Sequence, residues 1–359
     1  MPSAFRPQRI VIVSDAWRPQ VNGVVTTLEN TARALSESGH SVEIVGPDRF
    51  RTVPCPGYTS IRLALTTPSG VAKVIDALRP DALHIATEGP LGWAARRVAL
   101  RRGWGYTTAY HTRFPEYLEN MARIPAAWTY YLIRRFHRPS AAMLAPTPSI
   151  AAHLRERGFA RVAEWSRGVD TQIFYPPRKG DSRPKRESPV FLYAGRISTE
   201  KNLEAFLSLE LPGQIWVAGD GPARAGLEAR FPKARFLGMQ TPRDLADIYR
   251  QASVFVFPSR TDTFGLVLLE AMACGLPVAA FPVPGPLDVV GGKPAGILDE
   301  DLQRACLGAL KLGSSGPLAR AASFGWERAS RQFLDALVPL VPDTADSTAA
   351  VINCTHAST

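Results

Sequence analysis

Short, wholly apolar runs bounded by glycine, proline or a polar residue recur along this chain. They are RIVIVSDAW at 9–17, SVEIVGP at 41–47, ALHIAT at 82–87, VFLYAGRIS at 190–198, QIWVAGDGP at 214–222, ARFLGM at 234–239 and SVFVFPS at 253–259. Each is too short for a core helix, and most lack the polar alternation of a strand with one wet face. A strand apolar on both sides needs cover on both sides, and helices between parallel strands supply it. Between the runs lie amphipathic patterns such as TLENTARALSESGH at 27–40, with Leu28, Ala32 and Leu35 on one face. The order strand, helix, strand predicts an α/β fold.

At 359 residues the chain exceeds what one hydrophobic core comfortably organises. The alternation stops at PPRKGDSRPKRESP (176–189), which is rich in proline and charge, and restarts after it. That composition is a linker. The expected division is 1–170 as a first Rossmann-like domain, 171–189 as hinge and linker, and 190–320 as a second. Residues 321–341 are read as a C-terminal helix with the option of crossing back, and 342–359 as a disordered tail. Two α/β domains so joined leave a cleft, the place where such folds bind ligands.

Charge is distributed unevenly. Residues 1–170 hold 22 Lys and Arg against 13 Asp and Glu, while the remainder holds 20 against 19. A basic first half suits an anionic partner. No helix-turn-helix, zinc or RNP-like signature accompanies it, so nucleic acid is not the expected one. The four cysteines, Cys55, Cys274, Cys306 and Cys354, form no C-x-x-C pair, which fits a reducing compartment and no structural zinc. The start, MPSAFRPQRIVIVSDAW, reads as a strand and not a signal peptide, and no apolar run approaches a membrane span.

PSRTDTFGLVLLEAMACGLPV (258–278) holds the most informative residue. Its apolar side chains point all round a helix, which predicts a buried helix. Glu270 in its middle would be costly there without donors, and no Lys, Arg or His lies nearby in sequence. A distant residue satisfies it, or a ligand rich in hydroxyls does.

NGV (22–24), GRISTEKNL (195–203), VAGDGP (217–222) and TDTFGLVLLEAMACGLPV (261–278), with the hinge-like GVDTQIFYP (168–176), resemble in order and combination the family 4 retaining glycosyltransferases of the GT-B fold. The resemblance extends to about residue 335. It implies two Rossmann-like domains facing across a deep cleft, and a nucleotide-sugar donor. The family places an acid, seven residues and a Glu here. Asp262 stands at the first position, one methylene shorter than the family's Glu, and Glu270 at the second. The resemblance implies that Glu270 accepts from the ribose hydroxyls and that Asp262 contacts the transferred sugar. Arg196 and Lys201 become the clamp on the leaving diphosphate, and Gly23 lets backbone approach a phosphate. Thr263, Phe264, Gly265 and Leu266 open the helix toward donor oxygens. His111, in TAYHTRF, faces the donor sugar, and Gly238 and Met239 line the base pocket. Arg113 is a weaker candidate for acceptor or phosphate contact.

No required cofactor or metal is expected. DED at 299–301 superficially resembles a metal-binding D-x-D, but it precedes an amphipathic helix and reads as a cap. VAGDGP lacks the third glycine of a dinucleotide fingerprint, so no NAD site is read.

In RFPEYLENMARIPAAWTYYLIRRFHRP (113–139), Trp128 and Tyr131 stand beside Arg134 and Arg135, a mixture suited to an anionic bilayer interface. With WRPQVNGVVTTL and YHTRFPEYL, the likeness is to the branch containing sulfoquinovosyl-, mannosyl- and glucosyl- or glucuronosyl-diacylglycerol synthases and phosphatidylinositol mannosyltransferases. It implies a bacterial-type enzyme, cytoplasmic and peripheral on the inner face of the membrane. The reaction expected is transfer of a hexosyl or hexuronosyl group, from a UDP-sugar by preference, to a lipid such as diacylglycerol. The alternatives are a GDP-mannose-dependent α-mannosyltransferase and a nucleotide-sugar epimerase of the same fold.

Overall fold

The computed structural model describes residues 6–20, 22–55, 58–113, 125–178 and 188–340. The tail 342–359, the linker portion 179–187 and residues 114–124 of the aromatic and basic stretch lie outside the described residues. The first lobe holds a six-stranded sheet of β1 (Arg9–Val13), β2 (Ser41–Val45), β5 (Ala82–Ile85), β6 (Thr107–Ala109), β7 (Ala142–Ala145) and β8 (Val162–Glu164). Its order is β2-β1-β5-β6-β7-β8, parallel throughout. Beside it β3 (Arg51–Cys55) and β4 (Tyr58–Leu65) pair antiparallel. The strands are linked by α1 (Gly23–Glu37), α2 (Pro68–Leu78), α3 (Pro90–Arg102), α4 (Ala126–His137) and α5 (Pro148–Glu156).

The second lobe repeats the plan with β9 (Val190–Ala194), β10 (Gln214–Ala218), β11 (Arg235–Gly238), β12 (Val254–Phe257), β13 (Val278–Ala280) and β14 (Gly296–Leu298). The order is β11-β10-β9-β12-β13-β14, again parallel. Helices α6 (Leu203–Leu207), α7 (Arg224–Arg230), α8 (Pro242–Gln251), α9 (Leu266–Ala273), α10 (Pro284–Val289), α11 (Leu302–Ala309) and α12 (Ser315–Ala322) complete it, and α13 (Trp326–Ala336) follows. The apolar runs sit where their composition requires. VFLYA of β9 and VFVF of β12 are buried at every residue, whereas the edge strands β2 and β11 are partly open. Alternate residues of β9 feed opposite layers: Leu192 packs with Trp216 and Phe255, Phe191 with Val217 and Val254. These are the two faces of one sheet.

Each sheet reverses its strand order once, between β1 and β5 and between β9 and β12. Loops leaving neighbouring strands at such a point diverge to opposite faces and open a crevice at the strands' carboxyl ends. The β1 loop leads to Gly23, the β9 loop carries Arg196 and Lys201, and the β12 loop carries Asp262 and Thr263. Connectivity alone brings these residues to two crevices.

The chain returns to its first lobe at the end. Phe333 of α13 is fully buried with Ile10, Ile12, Leu28 and Trp165. Pro339 bridges Ala82, and Leu340 is buried beside Val11 and Leu83. The crossing is close: a Cβ on Gly168 would stand 2.3 Å from the Trp326 nitrogen, so only glycine fits. Residues 321–341 are not one helix, because α12 stops at Ala322 and α13 starts after Gly325. Val169 and Phe174 already belong to the second lobe's core.

Two local expectations are corrected. Helix α1 begins at Gly23, four residues before the start at 27 read from the apolar pattern, because Asn22 Oδ1 accepts from Val24 N and Val25 N at 3.0 and 3.1 Å. Gly23 is therefore the first helical residue. Helix α9 is not buried all round: Leu266, Val267 and Glu270 share a half-buried stripe, while Leu268, Leu269, Ala271 and Met272 face the core.

Candidate active site

Two helices start toward one another across the cleft. The N-terminus of α9 has no side-chain cap, and its preceding residue, Gly265, adopts φ +83°, a left-handed conformation that disfavours side chains. A Cβ there would also press to 3.0 Å on Phe257 and Leu268. Opposite it, a Cβ on Gly23 would meet Leu266 Cδ1 at 3.9 Å and nothing nearer. The Leu266 side chain thus reaches the start of α1, and the uncapped start of α9 presents N–H groups suited to anionic oxygens.

Glu270 lies one turn along α9 on the same stripe as Leu266. Its hydrogen-bond partner is neutral: Tyr249 of α8 donates its hydroxyl to Oε2 at 3.2 Å. No Lys, Arg or His pairs with it among the described residues. Burial of the carboxylate pushes its pKa up to about 7, with the Tyr249 bond opposing that rise. A distant residue therefore satisfies part of the acid's demand and leaves acceptor capacity toward the cleft.

The β9 and β12 loops meet at Lys201 and Asp262. Lys201 sits in a single 3-10 turn, Thr199–Lys201, followed by Asn202 in the left-handed region at φ 55°. The Asn202 amide donates to Pro258 O at 3.2 Å, tying this turn to the end of β12. Lys201 Nζ then reaches Asp262 Oδ1 at 2.6 Å, while Asp262 Oδ2 is buried without a partner. Tyr193 donates to Arg196 O at 2.8 Å and fixes that loop. Gly219 and Gly221 pack directly on it: Cβ atoms there would lie 1.9 Å from Gly195 O and 2.2 Å from Ile197 O. Their role in the fold is this close approach. Gly238 also has a positive φ, of 72°, and Met239 is largely exposed at the end of β11.

From the first lobe His111 follows β6. Its carbonyl accepts from Thr263 Oγ1 at 2.7 Å, a hydrogen bond that crosses the cleft. Its ring stacks edge-on against Trp165, its Nδ1 faces Arg167 Nη2 at 3.3 Å, and its buried Nε2 has no partner. Burial, reinforced by the charge of Arg167, holds its pKa well below the ordinary imidazole value.

The cleft region thus gathers Gly23, His111, Arg196, Lys201, Asp262, Thr263, Gly265, Leu266 and Glu270 on the crevice-forming loops and helix starts. Phe264 differs, because its ring is buried in the second core against Phe324, so only its backbone is available there. Gly238 and Met239 lie at the end of β11 beyond β10, and Arg113 two residues past His111. Trp128, Tyr131, Arg134 and Arg135 stand apart on α4. Asp301 Oδ1 caps α11 by accepting from Arg304 N at 3.0 Å, and Asp299 pairs with Arg304.

Sequence reasoning missed Tyr249, Arg167 and Gly285. A Cβ on Gly285 would lie 2.8 Å from Asp262 O, so this glycine lets α10 support the loop. It also missed Asp288 of α10, which accepts from Ser149 N at 2.9 Å and Ser149 Oγ at 2.8 Å and so ties the second lobe to the start of α5. None carries a local signal, since each acts on a segment distant in sequence. Asp15, by contrast, holds the start of α3 by accepting from Leu91 N and Gly92 N.

Comparison with known proteins agrees with this geometry. The model for Glycosyltransferase Family 4 matches residues 21–173, and that for Glycosyl transferases group 1 matches 188–310. A GDP-mannose-dependent alpha-mannosyltransferase of Mycobacterium tuberculosis is 31% identical over 320 residues, covering 81% of this chain and 83% of that protein. A sulfoquinovosyl transferase of Arabidopsis thaliana is 31% identical over 320 residues, 80% of this chain and 62% of its own length. An alpha-monoglucosyldiacylglycerol synthase of Streptococcus pneumoniae is 27% identical over 351 residues, 84% of this chain and 78% of that one. Among solved structures, sucrose-phosphate synthase from Thermosynechococcus elongatus superposes with a TM-score of 0.75 at 21% identity, covering 91% and 98% of the two chains, a likeness of fold. Two facing Rossmann-like lobes, an acid-bearing helix start at their seam and these relatives together establish that the chain belongs to glycosyltransferase family 4 and is a GT-B glycosyltransferase.

Proposed function

We propose that this enzyme moves a hexosyl or hexuronosyl group, with retention of configuration, from a nucleotide-sugar to a membrane lipid such as diacylglycerol, giving an α-glycolipid. The observation that carries the donor half is Glu270. It is a carboxylate on the half-buried stripe of α9 with a neutral phenol for its partner, and ribose hydroxyls are donors that match its remaining lone pairs. The diphosphate then lies between the starts of α1 and α9, within reach of Arg196 and Lys201. Charge grows on it as the glycosidic bond breaks, and cations and helix N–H groups stabilise that charge. Asp262 and Glu270 are both committed to binding, which leaves front-face attack. The acceptor hydroxyl arrives on the side the phosphate leaves and gives its proton to a phosphate oxygen. A covalent sugar adduct on an Asp or Glu would overturn this.

The acceptor half is supported by α4. Its inner face, Tyr130, Ile133 and Phe136, is buried, while Trp128, Tyr131 and Leu132 are 77, 64 and 52% exposed beside the exposed Arg134 and Arg135. Aromatic rings ringed by guanidinium groups suit the headgroup layer of an anionic leaflet. Relatives named for diacylglycerol and phosphatidylinositol products point the same way. No helix among the described residues is long and apolar enough to cross a membrane, so the contact proposed is peripheral.

A second reading, GDP-mannose as donor, is favoured by the mycobacterial mannosyltransferase that matches over four-fifths of both chains. A thermal-shift screen with UDP, GDP and their sugars separates the two. A nucleotide at 100 times its Kd stabilises the fold by about 2.7 kcal/mol, and a chain indifferent to every nucleotide refutes the proposal. Incubation with the stabilising donor alone, giving an epimer and no transfer to lipid, would assign the epimerase chemistry instead.

A further inference from the structure

Arg167 is buried to 3% exposure, yet no Asp or Glu pairs with it among the described residues. Its Nη1 donates to Ser166 O at 3.1 Å and also to Trp165 O, and its guanidinium lies 4.2 Å from the centroid of the Trp165 ring. Burial alone lowers its pKa, to about 9, which leaves it a cation at neutral pH. Its Nη2 is 3.3 Å from His111 Nδ1. A guanidinium only donates, so Nδ1 must be the acceptor, and a neutral imidazole with an accepting Nδ1 carries its proton on Nε2. Nε2 is the buried atom that no protein group satisfies.

We propose that Arg167 is a positioning residue that fixes His111 as the neutral Nε2–H tautomer, so that the ring offers the donor sugar a hydrogen-bond donor and does not act as a base. This rests on the reading that His111 faces the sugar. The surroundings agree with it from each side. Trp165 holds the ring edge-on, and His84 of β5 is itself neutral, its pKa lowered to about 3 chiefly by burial. Thr263, beside Asp262, clamps the His111 carbonyl, and Arg113 follows two residues on. The charged neighbour at Nδ1 opposes a second proton on the ring. An Nε2–H without a partner is then filled by a ligand oxygen that accepts, which a sugar hydroxyl supplies. A ring held this way takes no proton from the acceptor, and that step falls to the departing phosphate.

The test is a two-bond 1H–15N correlation spectrum of the full chain labelled with 15N-histidine, followed from about pH 5.5 to about 8.5. His111 is identified by its loss in His111→Gln. The expected spectrum has a protonated Nε2 and a bare Nδ1, unchanged across the range. Arg167→Gln keeps a donor to Nδ1 without the charge, so the tautomer persists and kcat acquires an acid limb. Arg167→Met removes both, the ring shifts toward the Nδ1–H form, and kcat falls about a further tenfold, the loss of one hydrogen bond in the transition state. A wild-type ring protonated on Nδ1, or titrating within the range, overturns the proposal even if neither variant folds. So does an Arg167→Met protein with an unaltered ring. The spectrum needs no substrate, so a chain that transfers no sugar refutes the function and leaves the tautomer to be judged separately.

Discussion

Lys201 and Asp262 hold one another at 2.6 Å, each side chain about a fifth exposed, although the proposed function assigns them to different parts of the donor. There the cation serves the diphosphate and the acid a sugar hydroxyl, so two donor-binding groups are also each other's partners. On the proposed function, donor binding exchanges both partners of this pair. Lys201→Ala is expected to lower kcat about 100-fold, the scale of losing one stabiliser of developing charge, while donor Kd changes less than about tenfold. Asp262→Asn should lower kcat similarly, and the double variant should lose less than the product of the two. Single-turnover rates and calorimetric Kd values check this, and strict additivity would show that the two act independently.

Glu270 predicts a pH dependence with a definite sign. Its pKa is raised from the ordinary carboxylate value to about 7, so ionisation is resisted in the folded chain and not in the unfolded one. Such an acid makes the protein less stable as pH rises from about 4.5 through about 7, and constant beyond. The proposed ribose contact needs the ionised form, so affinity should fall by up to about tenfold per pH unit below 7, and binding at pH 7 should release protons. Glu270→Gln should flatten the stability slope, raise Tm at pH 8 more than at pH 5, and weaken nucleotide binding at every pH. Calorimetry in buffers of different ionisation enthalpy measures the protons released, and zero release would remove Glu270 from the ribose.

Asp288 predicts how the lobes close. Its carboxylate accepts two hydrogen bonds from Ser149 at the start of α5, while Arg320 grips the backbone carbonyls of Asp288 and Val289. Together with the Thr263 to His111 bond it fastens the cleft on two sides. A charge-assisted bond contributes about 1.5–3 kcal/mol, enough to move an open and closed equilibrium by about tenfold or more. Asp288→Ala should enlarge the radius of gyration in small-angle scattering without ligand and raise donor KM with little change in kcat. An unchanged scattering curve would show that the lobes are held closed by other contacts.

What the sequence disclosed follows from which signals are local. The all-apolar runs at β9 and β12 pointed to buried parallel strands, whereas the strand order that opens the crevices emerged only in the fold. Glu270 was legible because an acid amid leucines is out of place in any fold. The stripe that exposes it was not, because the contrast among Leu266, Val267 and the core-facing residues comes from tertiary packing. Phe264 shows the reverse case, since an aromatic between Thr263 and Gly265 reads as part of a site while its ring fills the core and leaves only its backbone there. Arg167 was invisible among many arginines of a basic half, because its burial depends on Trp165 and the returning α13. Tyr249 reads as an amphipathic core residue, and only the juxtaposition of α8 with α9 turns its hydroxyl toward Glu270.

The exposed stripe of α4 carries the last prediction. Tyr130, Ile133 and Phe136 already secure this helix to its lobe, so Trp128, Tyr131 and Leu132 contribute nothing to that packing and leave a sizeable apolar area in water. Apolar burial contributes about 25 cal/mol per Å², so inserting one ring into a headgroup layer adds roughly 1–3 kcal/mol, and each arginine near an anionic surface about 1 kcal/mol more. Trp128→Ala should therefore weaken flotation on phosphatidylglycerol vesicles at all salt concentrations. Arg134→Glu with Arg135→Glu should abolish it at low salt, and both proteins should stay folded, the second losing only the exposed bond from Arg134 Nη1 to Arg157 O. Transfer to a short-chain, water-soluble acceptor should survive both changes while transfer to vesicle lipid falls in step with binding. Equal loss on the soluble acceptor would place α4 in the acceptor site itself and not at a membrane.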